Sequence, residues 1–349
     1  MTMYPKTVQL IQEKMPTVFP GAVLRFIAGE TQETHIFGQA ALLPKTEPMT
    51  KDHLFDLASL TKVVCTTSVL LKLWEQGKIE MEAPLARWLP AFKDDRVTIK
   101  HLLTHTAAIN TWIPHRDQLD AAALRKAYLQ LESSDTIGQT VNYTDTGTIL
   151  LGFLLEELYQ KPVTEIFQEE VLTPLGMKNS GFPPFPPSQL PLIVPTQQQP
   201  DGSILRGITH DPKARVLGNH AGNAGLFSTV DDLTLFVQLL LANGQQQGAP
   251  FFSEKVMQAL AQRQTPESTK PRTYGWDLLG APYQLFHTGY TGTFLAVDIP
   301  NKKAFIFLSN RVHPVDHRES YLGHRDEILQ CYLKNLPNKR IHAIICTNN

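Results

Sequence analysis

The chain has 349 residues, of which 42% are hydrophobic and 19% charged, so it is globular in composition and long enough for one large domain or two packed lobes. Its net charge of −1 argues against a nucleic-acid-binding surface and against a polybasic patch for anionic membranes. Three cysteines without a C-x-x-C pair argue against a disulfide framework or a zinc knuckle, and they are typical of a reducing compartment.

The N-terminal segment lacks the apolar core of an export signal. Residues 1–21 are predicted to form a short amphipathic helix that ends before Pro20. Later apolar runs such as "TILLGFLLEELY" are too short and too interrupted to span a bilayer, so we expect a cytoplasmic protein without a membrane segment. Residues 22–40 alternate between apolar and polar side chains around a central Gly-Glu, which predicts a pair of strands.

The middle of the chain is predicted to be mostly helical. From Ser59, apolar residues recur at spacings of three and four as far as a stop at Gly77. A predicted N-cap, Thr229, opens another helix. The helices predicted after Gly77 cover residues 97–109, 120–133, 146–161 and 229–244.

Two stretches between these helices are irregular. Residues 181–202 are rich in Pro and Gln, which predicts a long loop. Residues 209–227 contain His210, Asp211, His220 and several glycines. We interpret this second stretch as a turn-rich connector, and the alternative is that it forms a wall of the substrate cleft.

Strand-like runs return near the C-terminus, over 274–280, 283–300 and 302–312, before a last helix over 324–336. Strands at both ends with helices between them predict an α+β fold, in which N- and C-terminal segments build one antiparallel sheet flanked by helices. We expect a single domain over residues 1–349 with two lobes. The sheet lobe takes about 1–58 and 245–349, and the mostly helical lobe about 59–244.

A serine and a lysine lie three residues apart at the start of the first long helix, in "SLTK". Residues at this spacing share one face of a helix, so the Ser59 hydroxyl and the Lys62 amine can come within hydrogen-bond reach. Serine is a poor nucleophile unless a base lies beside it, and a buried lysine can take part in that activation. The pair alone is also a spacing that chance supplies about once in a chain of average composition.

Two later motifs follow in order. "VNYTDTG" places Tyr143 and Asp145 just before a helix, where loop side chains can point into a cleft. A tyrosine near a cation can act as a general base, although a solvated Tyr143 and an Asp145 that caps the helix are the simpler interpretations. "FHTGYTGT" places His287, Thr288 and Gly289 in a strand-like run, whose edge can align a substrate.

Together these motifs resemble the serine beta-lactamase and penicillin-binding protein superfamily, in its class C branch with relatives among DD-peptidases and esterases. That branch carries S-x-x-K, then Y-x-N, then K-T-G or H-T-G, in this order and at about these separations. The resemblance covers roughly residues 20 to 333. It is supported by the phrases "LFDLASLTKV", "IKHLLTHTAAI", "GNAGLFSTVDDLTLF" and "LSNRVHP".

The resemblance implies a role for each motif. Ser59 would be the acylated nucleophile, Lys62 would shuttle its proton, and Tyr143 would assist as base and as acid to the leaving group. The H-T-G triplet would line the substrate strand. The backbone N–H groups of Ser59 and Tyr290 would form the oxyanion hole.

Two positions depart from the branch pattern. Asp145 stands where an asparagine is common; it can pair with Lys62 and hold it protonated, which would leave Tyr143 as the base. His287 stands where a lysine is common, so we expect the charge that meets a substrate carboxylate to be weak and pH-dependent. Both departures favour an esterase, amidase or peptidase over an efficient beta-lactamase.

The sequence therefore predicts a serine hydrolase that acts through an acyl-enzyme on small D-amino-acid, peptidoglycan-fragment or simple ester substrates. We expect no metal or organic cofactor, and beta-lactams could act as acylating ligands. Two alternatives stay open: a non-catalytic sensor or scaffold that binds such ligands, and an efficient class C beta-lactamase. His101 and His105 have the spacing of a zinc pair on a helix, but no third ligand is apparent in the sequence.

Overall fold

The computed structural model describes residues 2–218, 220–280 and 284–334. Its strands are β1 (Gly21–Ala28), β2 (Thr31–Ala41), β3 (Glu47–Pro48), β4 (Phe55–Asp56), β5 (Phe227–Ser228), β6 (Gln245–Gln246), β7 (Ala249–Pro250), β8 (Asp277–Leu278), β9 (Gln284–Gly289), β10 (Thr293–Asp298) and β11 (Lys303–Ser309).

The helices are α1 (Pro5–Glu13), α2 (Thr67–Glu75), α3 (Ile99–Thr104), α4 (Ala121–Leu129), α5 (Thr146–Tyr159), α6 (Val163–Phe167), α7 (Thr173–Leu175), α8 (Pro212–Val216), α9 (Val230–Leu241), α10 (Glu254–Leu260) and α11 (Arg318–Lys334). A π-helical turn, Lys62–Thr66, leads into α2, and a second one, Gln168–Leu172, leads into α7. In the part of the chain that is described, no helix combines the length and the apolar character needed to cross a bilayer.

The main sheet is built from both ends of the chain, which confirms the predicted fold class. It has seven antiparallel strands in the order β3-β2-β1-β11-β10-β9-β8, and β1 joins the two ends by pairing Ala22 with Ser309. The side chains of β1 are almost all buried, because helices cover both faces of the sheet. On the face covered by α1 and α11, the Phe26 ring lies 4.6 Å from the Phe305 ring and 6.0 Å from the Tyr332 ring.

One predicted strand is mostly a turn. Of the strand-like run over 274–280, only Asp277–Leu278 pairs in the sheet. Gly275 adopts a left-handed conformation with φ of 78°, and a Cβ atom there would lie 2.4 Å from the Thr67 hydroxyl. The close approach of this turn to the start of α2 is a tertiary contact, which residue alternation cannot indicate.

The fold brings three chain segments to one place. The π-helical turn begins at Lys62, α5 begins just after Asp145, and β9 ends at Gly289. A Cβ atom at Gly289 would lie 2.3 Å from the Leu57 carbonyl oxygen, so the end of β9 packs directly against the backbone that leads to the serine. The start of one helix, the start of another and the end of a strand therefore surround Ser59.

Gly222 packs closely against the backbone of α5, the helix that begins just after Asp145. A Cβ atom there would lie 2.0 Å from the Thr148 carbonyl oxygen of α5 and 3.0 Å from the Gly152 Cα atom. We expect Gly222→Ala to lower the free energy of unfolding by about 1–3 kcal/mol, the usual effect of overpacking. Urea titration measures this, with Gly323→Ala in α11 as control, since nothing lies within 4 Å of a Cβ atom there. Equal stability of the two variants would contradict the predicted contact.

Candidate active site

Ser59 and Lys62 meet as their spacing predicts. The Lys62 ammonium nitrogen lies 2.7 Å from the Ser59 hydroxyl oxygen. Ser59 follows Ala58, whose left-handed φ of 45° is unusual for a residue with a side chain. The Ala58 N–H donates to the Asp56 carboxylate at 2.8 Å, which stabilises this turn. Burial raises the pKa of Asp56 to about 6, against the opposing effect of backbone N–H donors.

Lys62 is almost completely buried, with 1% of its side chain exposed. Its ammonium group has three acceptors: the Ser59 hydroxyl, the Asp145 carboxylate at 2.7 Å and the Asn223 carbonyl at 3.2 Å. Burial works to lower the pKa of Lys62, but the acidic groups of Asp145 and Tyr143 outweigh it, so this pKa is raised. Lys62 is therefore protonated, and it donates to the serine in this arrangement.

Asp145 binds two lysines instead of capping its helix. It precedes α5, yet its side chain makes no hydrogen bond to the helix N-terminus. One carboxylate oxygen accepts from Lys62 at 2.7 Å, and the other lies 2.9 Å from the ammonium group of Lys213. Burial works to raise the pKa of Asp145, but the two lysine charges outweigh it and hold this pKa below its usual value. The pairing with Lys62 that the sequence suggested is present in the structure.

Tyr143 lies at the mouth of the site, with 46% of the residue exposed. Its ring is 4.5 Å from the His105 ring and 6.0 Å from the His287 ring, measured between centroids. The Lys62 ammonium nitrogen lies 5.3 Å from the ring centroid, and the Arg272 guanidinium carbon lies 5.9 Å from it. Two cations thus lie near the ring of a tyrosine that is nearly half exposed to solvent.

His287 is held in its neutral form, so the charge that was expected to be weak at this position is almost absent at neutral pH. Only 3% of the residue is exposed, and burial together with the charges of Arg272 and Lys62 lowers its pKa to about 3. Its Nδ1–H donates to the Thr288 carbonyl at 3.0 Å, while Nε2 is buried without a partner among the described residues. The strand therefore offers a substrate no cation at the position of the histidine.

The residues after His287 lie where the H-T-G motif predicts. Thr288 is half-buried, and Gly289 ends β9 opposite Thr293 of β10. Among the described residues, neither the Ser59 N–H nor the Tyr290 N–H donates a hydrogen bond to the protein. Both backbone donors are thus available to a substrate oxygen.

Tyr290 is held from several sides. Its carbonyl oxygen accepts from the Arg311 guanidinium at 2.8 Å, and its hydroxyl donates to the Asp316 carboxylate at 2.6 Å. The Arg311 guanidinium carbon lies 4.5 Å from the Tyr290 ring centroid, and the His210 ring stacks on Tyr290 at 5.4 Å. These contacts fix the backbone that would carry one of the two oxyanion donors.

A cleft of about 470 Å³ opens beside Ser59. Its walls include residues 197–200 of the Pro- and Gln-rich loop and residues 210–213 of the following stretch. The interpretation of 209–227 as only a turn-rich connector is therefore wrong, and the alternative that it forms a wall of the cleft is correct. The charged or amide side chains of this cleft are Asp145, Gln197, Gln198, Gln199, Asp211, Lys213, Arg215 and Asp316.

Three contributors to the site were missed by sequence reasoning: Lys213, Arg272 and Asp56. Only Lys213 had a local signal in the sequence. Asp211-Pro212 is a typical start of a helix, which places the next residue, Lys213, in the first helical turn. Arg272 carries no motif, although its side chain is 1% exposed and pairs with Asp277. Asp56 lies within the stretch "LFDLASLTKV", but no pattern in the sequence indicates a role for its carboxylate.

The two histidines with metal-like spacing have structural roles. His101 accepts the Thr98 N–H on its ring nitrogen and so closes a capping box at the start of α3. His105 follows α3 in a left-handed conformation, and its ring contacts Tyr143. Within residues 2–218, 220–280 and 284–334, no group of three or more His, Cys, Asp or Glu side chains could hold a metal ion.

Comparison with known proteins places this geometry in a family. A "Putative D-alanyl-D-alanine carboxypeptidase" of Salmonella paratyphi B is 27% identical over 305 residues, which are 76% of this chain and 71% of that protein. A solved class C beta-lactamase superposes with a TM-score of 0.76 at 20% identity, covering 97% of each chain. EstCE1, described as a hydrolase with promiscuous acyltransferase activity, superposes with a TM-score of 0.73 at 20% identity, over 93% of this chain and 98% of its own. The model of the beta-lactamase family matches residues 8–329, and the chain therefore belongs to the beta-lactamase family.

Proposed function

We propose that this serine hydrolase cleaves ester or amide bonds of small D-amino-acid, peptidoglycan-fragment or simple ester substrates, through an acyl-enzyme on Ser59. The observation that carries the proposal is the 2.7 Å contact between the Lys62 ammonium nitrogen and the Ser59 hydroxyl oxygen at the edge of an open cleft. A serine becomes a useful nucleophile only when a neighbouring group activates it, and a cation in hydrogen-bond contact favours the ionised oxygen.

The proton transfers fall to Tyr143. Because Lys62 is protonated and already donates to three acceptors, it has no lone pair with which to take the serine proton. Tyr143, acting as the phenolate, takes this proton as the Ser59 oxygen bonds to the substrate carbonyl carbon, and the resulting phenol then gives it to the leaving alkoxide or amine. Water repeats the sequence: Tyr143 takes its proton, the hydroxide displaces Ser59 from the acyl group, and the proton returns to the serine.

The developing oxyanion is stabilised by the backbone N–H groups of Ser59 and Tyr290. Backbone donors that are fixed before the reaction lower the barrier without reorganising during it, and removing one such donor typically costs about 10²–10³-fold in kcat. The support here is that both N–H groups lack an acceptor among the described residues, and that Arg311 and Asp316 hold Tyr290 in place.

The substrate class follows from the charges and amides of the cleft. A neutral His287 offers a substrate carboxylate beside the β9 strand no charge to pair with. The amides of residues 197–199 suit polar partners such as peptide or sugar groups better than long acyl chains. The Salmonella relative is named for D-alanyl-D-alanine cleavage and EstCE1 for acyl transfer, which suits the same range of substrates.

A substrate panel tests this proposal. We expect hydrolysis of short-chain p-nitrophenyl esters, and kcat/KM for nitrocefin lower by about 10–100-fold, since Asp145 offers no amide donor to a beta-lactam side chain. The panel adds D-Ala-D-Ala peptides and muropeptides, and it measures initial rates for each compound. Fast nitrocefin turnover would favour the class C beta-lactamase alternative. No turnover and no covalent labelling would favour the non-catalytic sensor.

A further inference from the structure

Asp145 is shared between two lysines that come from different parts of the chain. One carboxylate oxygen accepts from Lys62 at 2.7 Å, and the other from Lys213 at 2.9 Å. Lys213 also pairs with Asp211 at 3.0 Å. The exposed fractions are 24% for Asp145, 18% for Lys213 and 16% for Asp211, so water screens these charges weakly. None of the three motifs contains Lys213.

The position of Lys213 is fixed by its own short helix. Asp211 caps α8 by accepting the Ala214 N–H at 2.8 Å, and Pro212 occupies the first helical position. The entry to this helix is tied to the serine, because the Asp56 carboxylate accepts the His210 N–H at 2.7 Å as well as the Ala58 N–H. The Asp56 carboxylate thus links the residue before Ser59 to the start of the helix that carries Lys213.

The charges of these residues compensate one another. An aspartate that paired with Lys62 alone would cancel the charge of the cation that contacts the nucleophile. With Lys213 on its second oxygen, Asp145 divides its charge between two lysines, so Lys62 is not its sole partner. Burial works to lower the pKa of Lys213, but Asp145 and Asp211 outweigh it and raise this pKa, which favours the charged form of Lys213.

We propose that Lys213 is a positioning residue that acts through Asp145: by occupying the second carboxylate oxygen, it leaves Lys62 free to hold the Ser59 hydroxyl for acylation. This inference rests on the proposed function. It adds Lys213 as the residue that makes an aspartate at position 145 compatible with that function. The ammonium group of Lys213 pairs with Asp145 and Asp211, so its effect on Lys62 passes through the shared carboxylate.

Paired substitutions test this role by the rate at which a fluorophosphonate labels Ser59, followed by intact-mass spectrometry. We expect Lys213→Met to lower the limiting labelling rate about 10–100-fold, as is usual within one salt-bridge network, with little change in the half-saturating probe concentration. Asp145→Asn should give a similar loss, because the two lysines then lack the carboxylate between them. The double variant keeps the total charge of the wild type and should label within about threefold of its rate.

Two controls separate this role from structural support. Lys213→Arg keeps the charge and should retain most of the rate, and Lys161→Met removes a lysine from an exposed ion pair with Glu169, where little change is expected. If the losses of the two single variants add in the double variant, Lys213 does not act through Asp145 and the inference is wrong. A rise in the half-saturating concentration alone would also contradict it, since it would make Lys213 a substrate contact. A wild-type protein that is never labelled overturns the proposed function, and this inference with it.

Discussion

Replacing Ser59 by alanine should reduce the ester hydrolysis rate by about 10⁴–10⁶-fold, the loss that follows removal of a nucleophile that works as part of a unit. The fold should survive, because the Ser59 side chain is half-buried and takes part in one hydrogen bond, as the acceptor from Lys62. Initial rates with a p-nitrophenyl ester measure the effect, and thermal unfolding checks that the variant is folded.

A second serine provides the matched control for this experiment. Ser68 lies on the same helical segment, and its hydroxyl donates to the Val63 carbonyl at 3.1 Å. Ser68→Ala removes a hydroxyl without touching the cleft, so its turnover should stay within a few-fold of the wild type. Residual activity in Ser59→Ala of more than about a tenth of the wild-type rate would exclude Ser59 as the nucleophile.

Replacing Tyr143 by phenylalanine should lower kcat by about 10²–10⁴-fold, the usual contribution of a general acid–base group. KM should change little, because the ring and its contacts with His105 and His287 are retained. Since nearly half of Tyr143 is exposed, loss of its hydroxyl should not destabilise the protein. Steady-state kinetics with an ester substrate separate kcat from KM.

The control for this variant is Tyr159→Phe, at the opposite end of α5. A helix rises about 1.5 Å per residue, so the Cα atom of Tyr159 lies roughly 20 Å along the helix from its start. Loss of the Tyr159 hydroxyl should leave both kinetic constants unchanged. If Tyr143→Phe keeps the wild-type kcat, Lys62 must exchange protons itself, and the conclusion that it stays protonated is wrong.

The fold could be predicted because its elements have strong local patterns. The two strand-like runs joined at Gly-Glu, the apolar spacing after Ser59 and the capping residue Thr229 each indicate an element without reference to its neighbours. The run over 274–280 was predicted wrongly, because a glycine turn packed on Thr67 takes most of it out of the sheet. Local alternation does not include such a contact.

The site could be predicted only where its residues belong to ordered motifs. The spacing of three residues was enough to predict that Ser59 and Lys62 meet, although Ser59 lies in the turn before the helix, and the resemblance supplied the later motifs. By contrast, Lys213 reaches Asp145 from 68 positions away in the chain, through a loop whose path the sequence does not determine. The neutrality of His287 likewise depends on its burial beside Arg272, which is a property of the folded protein.

The central claim is that Ser59 becomes acylated. Intact-mass spectrometry tests it most directly, after incubation of the wild type and of Ser59→Ala with a fluorescent penicillin and, separately, with a fluorophosphonate. We expect the wild type to gain the mass of one fluorophosphonate adduct and Ser59→Ala to gain none, with the penicillin adduct following the same pattern where it accumulates. An unmodified wild type that also hydrolyses no ester, or equal labelling of the two proteins, would contradict the account.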